Sequence, residues 1–241
     1  MKSPLRLTPD EATAMFGLLR EMTLVESPTS DKAANDQLIG VVRNRFEELG
    51  ATVEIDRQTE YGDHLVARWP GMGKPGLVIG HIDTVWPIGT LDRMPYREES
   101  GNIYGPGALD MKAGIAAIFA ALGMLRERGN WPDRALTVLI NSDEEVGSPS
   151  SRPLVEAEAV KSAYVIVMEP ATGVDGALKT ERKGLGEFRI SVEGRASHAG
   201  AFPEKGVSAI EELAHQILRI QALKDWAAGT TINVGLVNGG S

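Results

Sequence analysis

No cysteine occurs anywhere in the 241 residues, which excludes disulfides, thiol nucleophiles and thiolate metal sites. Histidine and carboxylate remain as the strong ligands. Basic charge is also scarce: 25 Lys and Arg stand against 33 Asp and Glu, for a formal net charge of -8. With no basic stripe to neutralise a phosphate backbone, nucleic acid is not an expected partner. Residues 1–8 carry no signal-peptide core, and no later run is expected to approach the roughly 20 apolar residues of a membrane span. A soluble, cytoplasmic chain without membrane contact is therefore expected. Internal repeats and low-complexity tracts are missing as well. What is present is a hydrophobic content of 42%, enough to bury a core, and a length that at about 150 residues per domain suggests one large domain or one and a half. Several carboxylates sit in otherwise apolar segments, where a charge needs a partner such as a metal ion.

Thr8-Pro9-Asp10-Glu11 reads as a capping box with proline at the first helical position, followed by Ala12, Met15, Phe16, Leu19 and Met22 at helical spacing. A second helix is predicted over 30–49, with Leu38, Val42, Phe46 and Leu49 on one face and Gly50 as its stop. Strands are predicted at 52–55, 64–69 and 77–79, a buried helix at 113–125, a strand at 135–140, a helix at 151–160 and a strand at 164–168. Alternation of this kind belongs to an α/β fold with a mostly parallel mixed sheet flanked by helices, whose sites lie beyond the carboxyl ends of the strands. Every suspicious carboxylate falls there. After about residue 180 the pattern changes to a strand at 186–192, a loop with His198, a helix at 207–223 and a strand at 231–237. This suggests a second, smaller α/β domain, incomplete because one βαβ unit leaves a sheet face and edges to cover.

A hydrolytic zinc site needs imidazole nitrogen and carboxylate oxygen ligands plus an open position for water. His81, Asp110, Glu145 and Glu169 can supply that set. Two neighbouring cations require a bridging carboxylate, for which Asp110 is the candidate. Asp83 can accept the proton on the non-ligating imidazole nitrogen, and Glu144, beside a ligand, can take the proton from water. Each piece also has a plain reading. His81-x-Asp83 alone is commonly a turn, Asp143-Glu144-Glu145 resembles the acids of a helix N-terminus, and Glu169-Pro170 can simply end a strand. Trp86-Pro87 either walls the site or joins the core, while His64 and His215 read as structural or exposed. A metal phosphoesterase also clusters carboxylates, but no Arg or Lys group near these motifs would clamp phosphate. Gly105-Pro106-Gly107 lacks the Lys-Ser/Thr pair of a phosphate loop.

Taken together, Gly80-His81-Ile82-Asp83-Thr84, Gly105-Pro106-Gly107-Ala108-Leu109-Asp110-Met111-Lys112, Asp143-Glu144-Glu145 with Gly147-Ser148, and Met168-Glu169-Pro170 resemble the two-zinc peptidase family of glutamate carboxypeptidase, aminoacylase, acetylornithine deacetylase and succinyl-diaminopimelate desuccinylase. Gly194-Arg195-Ala196-Ser197-His198-Ala199-Gly200 resembles the family's lid segment. The resemblance implies a zinc-exopeptidase-like catalytic domain over 1–181, lacking its C-terminal part, and the first half of a lid and dimerisation domain over 182–241. It implies two Zn2+ per complete subunit, with Co2+ or Mn2+ as substitutes. His81, Asp110 and Glu169 would hold one, Asp110 and Glu145 the other, with Glu144 as general base and a cis Asp110–Met111 peptide. His198 would reach across a homodimer to the substrate oxyanion. No position matches the family's last histidine ligand, so the chain is expected to be truncated. The function implied is hydrolysis of an amide next to a free carboxylate, as in release of C-terminal glutamate from a small peptide. Alternatives are deacylation of an N-acyl amino acid of the acetylornithine or succinyl-diaminopimelate type, or a fragment that binds metal without catalysis.

Overall fold

Thr8 and Glu11 cap one another reciprocally through side chain and backbone, and Pro9 presets the first turn, so α1 (Pro9–Thr23) starts where its local chemistry dictates. In the computed structural model, which describes residues 6–173 and 175–240, the chain divides into two compact units, Met1–Lys179 and Thr180–Ser241. Asp31 caps α2 (Lys32–Glu48) by accepting from the Ala34 amide. The first unit continues with β1 (Thr52–Asp56), β2 (His64–Trp69), β3 (Met72–His81), a hairpin of β4 (Arg97–Glu99) and β5 (Asn102–Tyr104), α3 (Ala113–Glu127), β6 (Arg134–Asn141), α4 (Arg152–Lys161) and β7 (Tyr164–Val167).

The main sheet has the order β1-β2-β6-β3-β7. β2 pairs antiparallel with both β1 and β6, whereas β3 pairs parallel with β6 and β7. Four of the five strands thus point one way and β2 opposes them. The registers His81↔Asn141 and Ile79↔Val167 bring the carboxyl ends of β3, β6 and β7 to one edge. Alternation decides what each face buries: Leu65, Ala67, Val138 and Ile140 join Leu38, Val42 and Phe46 of α2 and Ile115 and Ile118 of α3. Val66 and Leu139 turn the other way and pack with Leu154 and Val155 of α4. Phe46 anchors the larger cluster, with ring centroids 5.8 Å from Trp69 and 4.3 Å from Phe119. Burying such a side chain contributes roughly 1.5–3 kcal/mol.

Two expectations need correction. The stretch Ala108–Glu127 does reach the length and apolar character of a membrane-crossing helix, with a mean hydropathy of 1.6. It contains Asp110, and the buried Lys112 donates to the Val25 carbonyl at 2.8 Å; Ile115, Ala116, Ile118 and Leu122 are spent on the core. Only Ala113–Glu127 of this stretch is regular α-helix, and it packs on one face of the main sheet. In the second unit, the strands expected at 186–192 and 231–237 are not formed among the described residues. A strand exists only through a paired ladder, and this unit offers just the isolated bridges Arg195↔Val207 and Asp225↔Thr230. Its helix, α5 (Ala209–Gln221), is capped by Ser208, and none of its residues is more than partly buried.

Candidate metal centre

β3 delivers His81 to the sheet edge with its ring almost wholly buried. The His81 amide points at Met111 Sδ, 3.2 Å away. The Nδ1 atom lies 3.0 Å from the Asp83 carbonyl and 3.3 Å from Asp83 Oδ1. The expected partner residue is therefore present, but its backbone carbonyl is the nearer acceptor. An Nδ1–H held there leaves Nε2 with a lone pair for a metal.

Asp110 arrives from a tight turn, Ala108–Lys112, that leaves helical geometry at Asp110 and Met111; the peptide between these two residues is cis. Two glycines allow the approach. Gly107 has φ +68, and a Cβ there would sit 2.4 Å from Thr84 Cγ2; a Cβ on Gly114 would sit 2.1 Å from the Met168 carbonyl oxygen. The start of α3 thus lies against the strand end that leads into Glu169. His81 Nε2 is 3.2 Å from Asp110 Oδ1 and 3.3 Å from Glu169 Oε1, and suitable ligand atoms of the three residues lie within 4.8 Å of one another. Tetrahedral zinc with bonds of 2.0–2.1 Å has ligand–ligand edges of about 3.3 Å. Donor type and spacing both fit a cation.

The electrostatics agree with that fit. Burial alone would lower the His81 pKa, but the partners Asp83 and Glu169 and the charge of Glu144 raise it to about 11. Glu169 is held below the usual carboxylate range by its bond to His81. Burial pushes Glu144 up, with the charges of Glu169, Asp83 and Asp110 adding to it; burial and then Asp110 push Glu145 up. Glu144 Oε2 lies 3.8 Å from His81 Nε2. Glu145 is not part of the three-residue cluster and is linked to it by charge.

The Glu144–Glu145 turn is anchored at both ends. Its amides donate to Asp83 Oδ1 and Oδ2, each at 3.2 Å. Asp143 Oδ2 accepts from the Ser150 and Ser151 amides and from Ser150 Oγ. His64 Nε2 lies 3.0 Å from Ser150 Oγ, so the residue read from sequence as structural or exposed is a buried buttress. Sequence reasoning missed Thr29, whose hydroxyl donates to Asp83 Oδ2 at 2.7 Å; it is 54 residues away, beyond any local spacing signal. Trp86, adjacent to the site in sequence, is 42% exposed and not a core residue. In the second unit, exposed His198 accepts from the Gly200 and Ala201 amides at Nδ1, each at 3.1 Å. Its proton therefore resides on Nε2. His215 lies on α5.

Residues 77–233 match the model of peptidase family M20/M25/M40. The chain belongs to this family. Among its relatives is carboxypeptidase G2 of Pseudomonas sp. (strain RS-16), 34% identical over 96% of this chain and 57% of that protein. Acetylornithine deacetylase of Myxococcus xanthus is 31% identical over 96% of this chain and 63% of that protein. The aminopeptidase PepT structure from Bacillus cereus superposes with a TM-score of 0.70 at 26% identity, covering 95% of this chain and 62% of that one. The chain thus spans about three-fifths of the length of these M20-family proteins.

Proposed function

We propose that this chain carries the metal-binding residues of a two-zinc amide hydrolase acting next to a free carboxylate, as a carboxypeptidase releasing C-terminal glutamate or a similar amino acid does. The observation that carries the reading is the meeting of His81, Asp110 and Glu169, with His81 Nε2 3.2 Å from Asp110 Oδ1 and 3.3 Å from Glu169 Oε1 and all three ligand atoms within 4.8 Å of one another. His81, Asp110 and Glu169 would hold one zinc, while Asp110 and Glu145 would hold a second. Zinc bound there polarises a scissile carbonyl and makes water acidic near neutral pH.

The remaining chemistry belongs to side chains of this chain. Asp83 holds His81 in one orientation through its carbonyl and carboxylate. Glu144 takes a proton from the attacking water at its carboxylate and returns it to the departing amine nitrogen. Its raised proton affinity suits it to accept and then release that proton. His198, with its proton on Nε2, is proposed to donate to the tetrahedral oxyanion from a homodimer partner. A cytoplasmic location belongs to the same proposal.

The acetylornithine deacetylase relatives, at 31% identity for the Myxococcus xanthus protein, favour a second reading in which the same residues remove an acyl group from an amino acid. Two substrates separate the readings: an aroyl-glutamate of folate type and N-acetylornithine. Each is assayed with and without zinc on this chain and on the product of its whole reading frame. Zinc-dependent glutamate release supports the carboxypeptidase, and preferential acetate release supports the deacylase. Zinc-independent hydrolysis, or none from either protein, would overturn the proposal.

A further inference from the structure

Asp83 is fully buried, and its carboxylate gathers four neighbours. Oδ1 accepts from the Glu144 amide at 3.2 Å and lies 3.3 Å from His81 Nδ1. Oδ2 accepts from the Glu145 amide at 3.2 Å and from Thr29 Oγ1 at 2.7 Å. Three of these neighbours belong to residues already given chemical roles. The fourth and shortest contact comes from a threonine in the connection between α1 and α2.

Thr29 has little freedom to point elsewhere. It is buried, and its own amide donates to the Thr84 carbonyl at 3.3 Å. Just before it, Ser27 Oγ donates to the Ile82 carbonyl at 2.7 Å, and the Thr84 amide donates to the Ser27 carbonyl at 2.8 Å. The connection is thereby stitched alongside Ile82–Thr84, and its hydroxyl is carried to Asp83 by backbone pairing. A hydroxyl bound to a carboxylate is a charge-assisted bond, roughly twice as strong as a neutral one. The two amides, at 3.2 Å, hold less tightly. Removing the hydroxyl leaves Oδ2 with one weaker donor, and the carboxylate plane can rotate about its Cβ bond.

We infer that Thr29 is a positioning residue: its hydroxyl sets the rotation of the Asp83 carboxylate and, through it, the His81 ring and the Glu144–Glu145 backbone. The inference rests on reading this site as a metal centre, so one of its tests does not depend on metal. Thr29→Val keeps the branched shape and removes the donor, while Thr29→Ser keeps the donor. Zinc is titrated calorimetrically into the 241-residue chain and both variants. Amide hydrogen exchange is followed in the metal-free proteins. Thr29→Val is expected to bind zinc about 10-fold more weakly, within the range for loss of an outer hydrogen-bond partner. Its Glu144 and Glu145 amides should exchange faster while the amides of β2 and α2 keep their protection. Thr29→Ser should follow the wild type in both measurements. Wild-type behaviour of Thr29→Val in both, or uniformly faster exchange throughout the unit, would overturn the inference. If the wild-type chain bound no zinc, the metal reading would fail, and exchange at Glu144 and Glu145 would still decide the role of Thr29.

Discussion

Gly114→Ala tests how the fold brings Asp110 and Glu169 together. In an unhindered helix this change should stabilise by about 1 kcal/mol through helix propensity. Here the new Cβ would sit 2.1 Å from the Met168 carbonyl oxygen, where ordinary contact begins at 3.4 Å. The difference, 3.4 - 2.1 = 1.3 Å, must be found by moving backbone, because no rotamer relieves a clash between a Cβ and a carbonyl. The movement separates the start of α3, which follows Asp110, from the residue preceding Glu169. Metal sites tolerate about 0.2 Å in ligand distance, so even a shared displacement takes Glu169 out of range of the other two ligands. We expect a net stability change between about zero and a loss of about 2 kcal/mol, from an overpacking cost of about 1–3 kcal/mol less the propensity gain of about 1 kcal/mol. The melting temperature should fall by up to about 8 °C, and zinc affinity by at least about 10-fold. At Gly123, on the same helix, an added Cβ would meet nothing within 4 Å, so Gly123→Ala is the control and should be stabilising. Thermal melting and zinc calorimetry on both variants decide the matter. If Gly114→Ala bound zinc like the wild type and melted like Gly123→Ala, the close approach would have no part in assembling the site.

Glu144→Gln should retain zinc and lose about 100-fold or more in metal-dependent turnover, since an amide cannot accept the water's proton; normal turnover at normal zinc content would remove Glu144 from that role. Glu158 is buried, and its bidentate pair with Arg68, with Lys161 adding to it, lowers its pKa from 4.5 to about 2. A depressed folded-state pKa stabilises above the unfolded value and is lost as pH falls, so about 3 kcal/mol should disappear between pH 4.5 and 2. Urea unfolding of wild type and Glu158→Gln across that window should show a shallower pH dependence in the variant; parallel curves would contradict the assignment. Ser150→Ala removes the group between His64 Nε2 and Asp143 Oδ2. Because His64 Nδ1 has no partner among the described residues, the ring is left buried and unbonded, at a cost of about 1–3 kcal/mol. Denaturant midpoints check this, and an unchanged midpoint would show that the buttress carries no load.

Local chemistry accounts for what was legible without coordinates. The capping box at Thr8 and Glu11, the helical spacing of Leu38, Val42 and Phe46 and the apolar run of 135–140 depend on neighbours a few residues apart, and they set helices and a strand close to the observed bounds, although the cap at Asp31 was not read. The β4–β5 hairpin was illegible because Arg97, Glu98 and Glu99 are exposed and leave no hydrophobic period to read. The unpaired segments of the second unit mislead in the opposite sense: they have strand-like patterns and no ladder. The site divides along the same line. Residue type and order alone marked His81, Asp83, Asp110, Glu144, Glu145 and Glu169, since metal and proton chemistry admits few side chains. Which ligand atoms meet, the burial of His64, the Thr29 hydroxyl on Asp83 and the need for no side chain at Gly114 were decided by the tertiary structure. Those features join residues far apart in sequence, such as Thr29 with Asp83, 54 apart, and His64 with Ser150, 86 apart; pairing of the α1–α2 connection with Ile82–Thr84 carries Thr29 to Asp83, and the parallel register of β3 with β6 and β7 brings the ends that lead to His81, Asp143 and Glu169 to one edge.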